Sequence, residues 1–329
     1  MKKKIAIVSG GAGFIGSHMV DLLLSKNFKV RVIDNLSTGS SKNLNHIKDR
    51  KNFKFKKKDI TKLKKNDKIF KNVDFVFHFA GIADLVPSIE SPEKYIETNL
   101  NGTIKMLQAS RHNNIKKFVY AASASCYGIN NSKVKESDQI KIEHPYALSK
   151  YLGEMAVFHW SKVYKLKVNS IRIFNAYGPR SRTSGAYGAV IGVFLKQKLA
   201  KQPFTVVGSG NQSRDFVHVK DVVKAFFLAS LSKKENGIYN VASSKPQKIN
   251  YLVKLIGGKK IYIPNRPGEA FRSWANISKI KNKLGWKPSI SFKEGIEDLI
   301  DQIDNWKSAP LWDRKSIKKA TKNWFKFLK

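Results

Sequence analysis

The side chains best suited to chemistry in this sequence are Ser123, Tyr146 and Lys150. Tyr146 and Lys150 stand four residues apart in the stretch HPYALSKYLGE, so a helix places both on one face. A tyrosine ordinarily has a pKa near 10, and action as a base near pH 7 requires a lowering of about three units, or roughly 4 kcal/mol. A nearby ammonium favours the phenolate and supplies part of that change. With the Ser123 hydroxyl as a hydrogen-bonding partner for an alcohol or carbonyl oxygen, the set predicts proton transfer at a secondary alcohol.

The Tyr-Lys pair is weak evidence by itself, because about two Tyr-x-x-x-Lys pairs are expected by chance in a chain of this composition. Its position strengthens the prediction. The pair follows an apolar stretch, Lys117 to Ala122, which is typical of a buried strand and which places Ser123 at the strand's carboxyl end. The alternative interpretation is a structural Ser-Tyr-Lys set without a catalytic role.

The stretch Ile5 to Asp34 predicts what these side chains work with. It contains, in order, a short apolar strand, a glycine-rich turn, an apolar helix, a second strand and a terminal carboxylate. The glycines let the backbone approach a pyrophosphate, whose charge is received by the helix N-terminus. Asp34 follows the last glycine of the turn, Gly16, by 18 residues, where a carboxylate accepts hydrogen bonds from a ribose diol. A dinucleotide site is predicted, and a glycine-rich turn without a ligand is the alternative.

Further candidate contacts lie where predicted strands end. Asp59 is placed to accept from an adenine amino group, although an acid there is nearly as well suited to cap a helix. Gly81 is small enough for the backbone to pass close beneath a cofactor. The polar turn after Asp34 adds three candidates for the ribose or its phosphates: Asn35, Ser37 and Thr38.

Strand patterns alternate with helical patterns along the first half of the chain, with helices expected from about Pro92 to Asn113 and from about 144 to Tyr164. This alternation predicts an α/β fold, a doubly wound parallel sheet of the Rossmann type with right-handed crossovers. Ligands of such sheets bind beyond the carboxyl ends of the strands. One crevice is therefore expected to gather Asp34, Asp59, Gly81 and Ser123.

The net charge of +38 on 329 residues is unusual. A nucleic-acid site favours arginine and aromatic residues on one face, whereas the basic residues here are mostly lysines spread over nearly every segment. We therefore expect a solvated surface and no nucleic-acid partner. No apolar run approaches the roughly 18 residues that a membrane span needs, and no metal site is predicted. Cys126 is the only cysteine, which excludes an internal disulfide and fits the cytoplasm.

In its motifs and their order, the chain resembles an extended short-chain dehydrogenase/reductase of the nucleotide-sugar epimerase/dehydratase branch. The matching stretches in the first half are GGAGFIG (10–16), VIDNLSTG (32–39), DI (59–60), FHFAG (77–81), TNLNGT (98–103), SASCYG (123–128) and YALSK (146–150). Those in the second half are RIFNAYGPR (172–180), GNQSRDFVHVKDV (210–222), RPGE (266–269) and ISKIKNKLGWKP (277–288). Because they span nearly the whole chain, the set is far more specific than any single motif.

The resemblance implies that Ser123, Tyr146 and Lys150 are the catalytic triad and that the cofactor is NAD. Asp34 favours NAD over NADP, because a 2′-phosphate would face its carboxylate. The implied cofactor-binding residues are Gly10, Gly13, Phe14, Ile15, Gly16, Asp34, Asn35, Ser37, Thr38, Gly39, Asp59, Ile60, Phe79, Ala80, Gly81, Asn99, Tyr146 and Lys150.

The resemblance also implies a division of the chain. Residues 1–174 would form the NAD-binding Rossmann domain, and residues 175–329 mainly a smaller nucleotide-sugar-binding lid, with 215–245 returning to the Rossmann part. The implied substrate-binding residues are Ser123, Asn175, Arg214, Arg266 and Ser273. Guanidinium forks suit diphosphates, although each arginine alone is also compatible with a plain surface charge. A UDP-sugar is the favoured ligand, and the family's two-fold dimer implies a homodimer.

The residues after Ser123 bear on the reaction. In the 4,6-dehydratases of this branch, the matching serine is followed by an Asp-Glu pair, whereas this chain has Ala124 and Ser125. Without an acidic side chain at these two positions, the dehydration reaction has no general acid to protonate the departing hydroxyl. The sequence therefore predicts an NAD-dependent nucleotide-sugar 4-epimerase that inverts C4 of a UDP-hexose or UDP-N-acetylhexosamine through a transient 4-keto intermediate. The alternatives are a dehydratase or reductase of the same family and, outside enzymes, a basic Rossmann-type binding protein.

Ser273 is the position from which the sugar is predicted. In UDP-hexose 4-epimerases, as the resemblance implies, a residue shortly after the RPGE-type motif limits the space beside the C2 substituent. It is bulky in enzymes restricted to glucose and galactose and small where N-acetyl sugars fit. Because Ser273 is small, an N-acetylhexosamine or a related amino-sugar nucleotide is expected to be accepted.

The end of the chain carries aromatic residues at helical spacing. One helix is expected from Asp313 to Leu328, with Ile317 and Trp324 on a side that packs on the core. A helix that binds a partner or a membrane surface is the alternative.

Overall fold

The structure is a computed structural model that describes residues 3–181, 190–265, 267 and 269–328. Its strands are β1 (Ile5–Ser9), β2 (Lys29–Asp34), β3 (Phe53–Lys57), β4 (Phe75–His78), β5 (Lys117–Ser123), β6 (Val168–Ile173), β7 (Asn175–Tyr177), β8 (Phe204–Val207), β9 (Ser213–Arg214), β10 (Phe216–His218), β11 (Gly237–Val241), β12 (Gln247–Lys248) and β13 (Lys260–Ile263). Seven of them form one central sheet in the order β11-β6-β5-β4-β1-β2-β3, and every neighbouring pair in it is parallel. The predicted α/β fold with a doubly wound parallel sheet is confirmed.

The helices flank this sheet and continue through the second half. They are α1 (Phe14–Ser25), α2 (Leu85–Glu90), α3 (Pro92–Ile96), α4 (Gly102–His112), α5 (Pro145–Tyr164), α6 (Val190–Leu199), α7 (Val219–Leu231), α8 (Ile249–Ile256), α9 (Ser278–Leu284), α10 (Phe292–Asp301), α11 (Arg314–Ala320) and α12 (Lys322–Phe327). The helix predicted from Pro92 to Asn113 is thus α3 and α4, joined by a π-helical turn at Glu97–Asn101.

The sheet is buried on both faces, as parallel sheets require. On one face, Met19 of α1 and Phe226 of α7 belong to a cluster of fully buried apolar side chains. On the other, Met106 of α4 and Val157 of α5 belong to a second cluster. These two layers fix α1 and α5, the helices that carry the glycine turn and the Tyr-Lys pair.

The second half builds a separate apolar cluster. Its buried members include Phe194 of α6, Phe204 of β8, Leu252 of α8, Leu299 of α10 and Trp306. Between its elements the chain returns to the central sheet, because α7 packs on α1 and β11 pairs with β6. The domain limits given above stay a prediction.

The expectation of one helix from Asp313 to Leu328 is wrong, because the helix is interrupted at Thr321. The Thr321 hydroxyl donates to the carbonyl of Ile317 at 2.9 Å, and the residue separates α11 from α12. A hydroxyl that bonds back to the preceding turn competes with the helical backbone pattern. Ile317 and Trp324 are buried, 9% and 4% exposed, so both short helices still pack on the rest of the protein.

The described residues carry neither a membrane-spanning helix nor a cluster of metal ligands. Within those ranges, no helix has the length and apolar character that crossing a membrane requires. The same part of the chain contains no group of three or more histidine, cysteine or acidic residues arranged to hold a metal ion.

Candidate active site

A cleft of about 360 Å³ opens at the carboxyl ends of β1, β2, β4 and β5. Most of the predicted cofactor residues line it together: Gly10, Gly13, Phe14, Ile15, Gly16, Asp34, Asn35, Ser37, Thr38, Asp59, Ile60, Phe79, Ala80, Gly81, Tyr146 and Lys150. We refer to it as the cofactor cleft. Gly39 lies instead on a neighbouring open groove, which Phe14, Ser37 and Thr38 also line.

The glycine turn of the cofactor cleft has no room for side chains. Gly10 has a φ of +69°, and a Cβ there would lie 2.6 Å from the amide nitrogen of Ala80. A Cβ at Gly16 would collide with the carbonyl oxygen of Gly10. Helix α1 begins after Gly13 with no side-chain cap, so its first N–H groups are left for a ligand. This turn fits a pyrophosphate.

Asp34 is held rigidly at the end of β2. Its Oδ2 accepts from the Ala12 N–H at 2.9 Å and its Oδ1 from the Leu36 N–H at 2.8 Å. Burial raises the pKa of this carboxyl, and the two backbone hydrogen bonds oppose that shift. Each oxygen keeps further lone-pair capacity, so an oriented carboxylate is available to a ribose diol.

Asp59 performs the capping role that was the alternative interpretation. Its Oδ1 accepts from the Thr61 N–H at 2.9 Å, at the start of a 3₁₀ turn, Ile60–Lys62. Its Oδ2 accepts from Asn35 Nδ2 at 2.9 Å, which joins two of the predicted cofactor residues. A contact with adenine stays a prediction.

Asn99 lies beneath the wall of the cofactor cleft, in the π-helical turn, and is 1% exposed. Its Oδ1 accepts from the Ile82 N–H at 2.8 Å, and its Nδ2 donates to the Ile82 carbonyl at 3.0 Å and to Ser149 Oγ at 2.9 Å. The side chain therefore holds the backbone that follows Gly81. π-helical turns are frequent at functional sites, and here the turn supplies a support for the loop. A direct contact between Asn99 and NAD stays a prediction.

Ser123, Tyr146 and Lys150 line the cofactor cleft together. Ser123 ends β5, and its Oγ lies 2.8 Å from Ser125 Oγ. The Tyr146 ring is parallel to that of His144, with 5.9 Å between centroids. Lys150 Nζ lies 4.4 Å from the centroid of Tyr120, whose hydroxyl donates to the Lys150 carbonyl at 3.1 Å. The spacing of four on α5 brings both side chains to one wall.

The pKa of Tyr146 is not lowered in this structure, in contrast to what the sequence predicts. Burial raises the pKa of Tyr146, and hydrogen bonding with Ser123 only partly opposes it. Burial also lowers the pKa of Lys150 to about 7, against the opposing charge of Glu154. Desolvation disfavours both charged forms. Without a cofactor, Tyr146 is therefore a neutral phenol near pH 7, and its activation depends on further positive charge.

A second cleft of about 290 Å³ adjoins the first, and we refer to it as the substrate cleft. The predicted substrate residues Ser123, Asn175, Arg214 and Ser273 line it. Ser123 and Phe174 line both clefts, so the two spaces meet at the serine. Arg266 lies outside the described residues.

Two pairs of polar side chains in the substrate cleft are hydrogen-bonded to each other in this structure. Arg214 Nη2 donates to Glu269 Oε1 at 2.5 Å. Ser273 Oγ donates to Asn175 Oδ1 at 3.3 Å. A diphosphate that binds Arg214 must therefore compete with the Glu269 carboxylate.

The position of the dehydratase acid pair faces the substrate cleft. Ala124 and Ser125 lie in the 3₁₀ turn Ala124–Tyr127 and line the cleft beside Ser123. Neither side chain carries a carboxyl. The acids that do line this cleft are Glu143 and Glu269, and Glu269 is paired with Arg214.

Sequence reasoning missed several residues of both walls. Lys58, Ile82, Asp84 and Thr98 also line the cofactor cleft, and Leu85, His144, Arg272, Trp274 and Trp324 line the substrate cleft. Ile82 and Asp84 closely follow Gly81, which was predicted to line the cofactor site, so their position in the sequence could have indicated them. Trp324 comes from the end of the chain, and nothing in its local sequence connects it to the cleft.

Known proteins resemble the chain along almost its entire length. Residues 7–299 match the family model described as GDP-mannose 4,6 dehydratase. A putative UDP-glucose 4-epimerase of Methanocaldococcus jannaschii is 38% identical over 308 residues, which cover 91% of this chain and 98% of the relative.

Solved structures agree with this match. The UDP-N-acetylglucosamine 4-epimerase from Methanobrevibacter ruminantium M1, in complex with UDP-N-acetylmuramic acid, is 36% identical with a TM-score of 0.86, over 92% of this chain and 100% of that one. The UDP-glucuronic acid 4-epimerase from Bacillus cereus, in complex with UDP-glucuronic acid and NAD, is 28% identical with a TM-score of 0.84, over 92% and 99%.

The matched range, 7–299, runs through nearly all the elements that build the two clefts, from β1 to α10. The family model and the M. jannaschii relative each cover the chain far beyond the glycine turn, so the resemblance extends to the substrate side. The chain therefore belongs to the GDP-mannose 4,6 dehydratase family, in the nucleotide-sugar epimerase/dehydratase branch of the extended short-chain dehydrogenases/reductases.

Proposed function

We propose that the protein is an NAD-dependent nucleotide-sugar 4-epimerase, an isomerase that inverts C4 of a UDP-hexose or UDP-N-acetylhexosamine. The observation that carries this proposal is the place of Ser123, which lines both clefts and stands beside Tyr146 and Lys150. A sugar in the substrate cleft would reach the triad at the point where the cofactor cleft begins.

In this proposal Tyr146 takes the proton of the C4 hydroxyl as the C4–H bond breaks, which leaves a ketone at C4. Bound NAD supplies a reversible hydride acceptor and, in its oxidised form, a positive charge. Ser123 donates a hydrogen bond to the developing carbonyl oxygen. After the 4-keto sugar has rotated, Tyr146 returns the proton as hydride comes back to the opposite face, so no atom or electron is gained or lost.

Positive charge is the element that Tyr146 requires. Its pKa is raised by burial in this structure, so the neutral phenol is the resting form. The Lys150 ammonium and the cofactor's charge together favour the phenolate. The base would thus be active mainly when the cofactor cleft is filled.

Epimerisation is favoured over dehydration by Ala124 and Ser125. They line the substrate cleft beside Ser123 but offer no general acid for the loss of a hydroxyl. A reductase of the same fold would need a supply of fresh NADH, and the recycled cofactor of an epimerase needs none.

The substrate we favour is a UDP-N-acetylhexosamine. Ser273 lines the substrate cleft and is small, which leaves space beside the sugar. The M. ruminantium enzyme, 36% identical, is a UDP-N-acetylglucosamine 4-epimerase. Both observations support the same choice of sugar.

We also propose that the protein is a cytoplasmic homodimer. Helix α5 exposes Leu148, Met155 and Val163, by 39%, 53% and 49%. Apolar side chains at this spacing form a stripe along one side of a helix, which suits a two-fold contact with a second copy. The lone buried Cys126 is consistent with a reducing compartment.

Proton NMR of the purified protein with UDP-, dTDP-, GDP- and CDP-sugars tests the proposed function. The expected result is a mixture of the two C4 epimers of a UDP-sugar, formed without net oxidation of added NADH. Tyr146→Phe should retain cofactor and lose the inversion. Formation of a 6-deoxy-4-keto sugar, or inversion that persists in the variant, would contradict the proposal.

A further inference from the structure

The last segment of the chain, 300–328, lies outside the family model, whose match ends at residue 299. The M. ruminantium structure is covered in full, while 92% of this chain is covered, so part of this chain has no aligned counterpart there. The contacts that this segment makes within the protein indicate its role.

The first part of segment 300–328 is held by contacts with the rest of the protein, and its last part lies at the substrate cleft. Trp306 is 1% exposed, and Gln197 Nε2 donates to the Trp312 carbonyl at 2.6 Å. Asp313 and Ser316 then form a reciprocal capping box at the start of α11. Beyond these anchors the chain makes a further turn at Thr321 and ends in α12, only six residues long.

Helix α12 bridges the two walls of the substrate cleft. On one side it packs on α2, and Asn323 Nδ2 donates to Glu90 Oε1 at 3.0 Å. On the other, Trp324 Nε1 donates to the Pro267 carbonyl at 2.6 Å, in the loop that leads to Ser273. The first wall belongs to the cofactor side and the second to the nucleotide-sugar side.

Trp324 is the side chain of this bridge that lines the cleft. It is 4% exposed and shares the cleft with Leu85, Ser123, His144 and Ser273. Leu85 begins α2 directly after Asp84, which lines the cofactor cleft, and Ser123 stands at the junction of the clefts. The indole therefore lines the same space as Ser123, the residue at which the two clefts meet.

We propose that Trp324 is a substrate-binding residue, the outer wall of the sugar part of the cleft, and that α12 covers the bound sugar. The inference rests on the proposed function. An indole offers a broad apolar surface to the C–H face of a pyranose. Because Trp324 and Ser273 line one space, the pair limits the size of the sugar's substituents.

Helix α12 is also suited to move away from the substrate cleft. A six-residue helix is not stable by itself in water and depends on its docking contacts. Phe325 and Phe327 of α12 are 39% and 59% exposed, so Trp324 is its one deeply buried aromatic residue. Segments with few buried contacts open at low free-energy cost. Displacement of α12 would let a nucleotide sugar enter between the two walls.

Calorimetry on the NAD-loaded protein, with UDP and with UDP-N-acetylglucosamine as probes, tests this inference. Trp324→Ala should weaken the binding of UDP-N-acetylglucosamine and raise its KM by about tenfold, while UDP affinity stays within about twofold, because UDP lacks the sugar. Trp324→Phe should recover most of the loss. Phe327→Ala, in the same helix but exposed and away from the cleft, is the matched control and should bind both probes as the wild type does.

A Trp324→Ala protein that binds both probes normally would overturn the inference, and so would an equal loss for UDP and the UDP-sugar. If the Trp324→Ala variant does not fold, the Trp324→Phe variant and hydrogen exchange of the wild type test the inference instead. Binding of UDP-N-acetylglucosamine should slow hydrogen exchange of the α12 amides, and unchanged exchange would refute the proposal that α12 covers the sugar. If the wild type neither binds nor epimerises any nucleotide sugar, the proposed function fails as well. Normal turnover with an unaffected Trp324→Ala variant would leave the proposed function standing and reject only the role of Trp324.

Discussion

Arg172 and Glu154 form a buried ion pair beside the proposed catalytic helix, with 2.6 Å between Nη2 and Oε1 and both side chains 3% exposed. Glu154 lies on α5 one turn beyond Lys150 and also accepts from Ser170 Oγ at 2.7 Å. Its negative charge opposes the effect of burial, which lowers the pKa of Lys150 to about 7. The pair therefore links strand β6 to the protonation state of Lys150.

Replacement of the Glu154 carboxylate should change both the pKa of Lys150 and the stability of the fold. In Glu154→Gln, Lys150 loses the charge that raises its pKa, so its ammonium should be lost at lower pH. The alkaline limb of the kcat/KM profile is expected to move to lower pH. Because Arg172 is left without its partner, the free energy of unfolding should fall by about 3 kcal/mol. Glu297→Gln, which removes an exposed acid beside Lys293, is the control for both measurements. An unchanged pH profile would show that Glu154 does not act on Lys150.

The glycine turn should not tolerate a methyl group at Gly16. The Cβ of Gly16→Ala would collide with the carbonyl oxygen of Gly10, a backbone atom that cannot rotate away. Overpacking of this kind costs about 1–3 kcal/mol and displaces the turn that faces the pyrophosphate. We expect a lower thermal midpoint and an NAD affinity reduced by more than about tenfold. NAD binding equal to that of the wild type would place the pyrophosphate elsewhere.

Ser273 should set the tolerance for the C2 substituent. In Ser273→Tyr, the larger side chain occupies the substrate cleft, and the hydrogen bond to Asn175 is lost. Turnover of UDP-N-acetylglucosamine is expected to fall more than about tenfold, with UDP-glucose much less affected, since a clash with one group is the usual basis of such discrimination. The measurement is kcat/KM for both sugars. An equal decrease for both would remove Ser273 from the choice of sugar.

Buried histidines should make the fold sensitive to acid. Burial lowers the pKa of His78 to about 3 and those of His18 and His144 to about 4, from an ordinary 6.5. These groups are neutral when folded, while the unfolded chain protonates them below about pH 6.5. Because the unfolded state then binds more protons, the free energy of unfolding should fall as the pH drops from about 6.5 toward about 4.

Urea unfolding across that pH range measures the effect. His78 is fully buried between Ser9 Oγ, 2.6 Å from Nδ1, and Thr103 Oγ1, 2.9 Å from Nε2. A His78→Gln variant keeps hydrogen-bonding capacity but cannot titrate, so its stability should depend less steeply on pH even if its stability at neutral pH is reduced. Identical slopes for the two proteins would argue against proton uptake at His78.

Features carried by local pattern were predictable from the sequence. The stretch from Ile5 to Asp34 folds as strand, glycine turn, helix and strand because its apolar spacing and glycines specify each element locally. The same holds for Tyr146 and Lys150, since a spacing of four on a regular helix fixes their common face.

Features that depend on tertiary packing could not be predicted from the sequence. The pKa of Tyr146 is raised because the effect of burial outweighs that of the hydrogen bond with Ser123, and burial of this degree cannot be read from a helical pattern. Asn99 supports a loop 17 residues away in sequence, through hydrogen bonds to Ile82. Trp324 lines the substrate cleft because α12 packs on α2 and because its indole donates to the Pro267 carbonyl. Each depends on contacts between residues distant along the chain.

The fate of the hydrogen on C4 tests the central claim most directly. With UDP-N-acetylglucosamine deuterated at C4, the proposed mechanism predicts that both epimers at equilibrium retain the label at C4, because the hydride that leaves returns to the same carbon. Tyr146→Phe should leave the substrate uninverted and labelled. Transfer of the label to C6, its loss to solvent, or its accumulation in free NADH would contradict the assignment of this protein as a 4-epimerase.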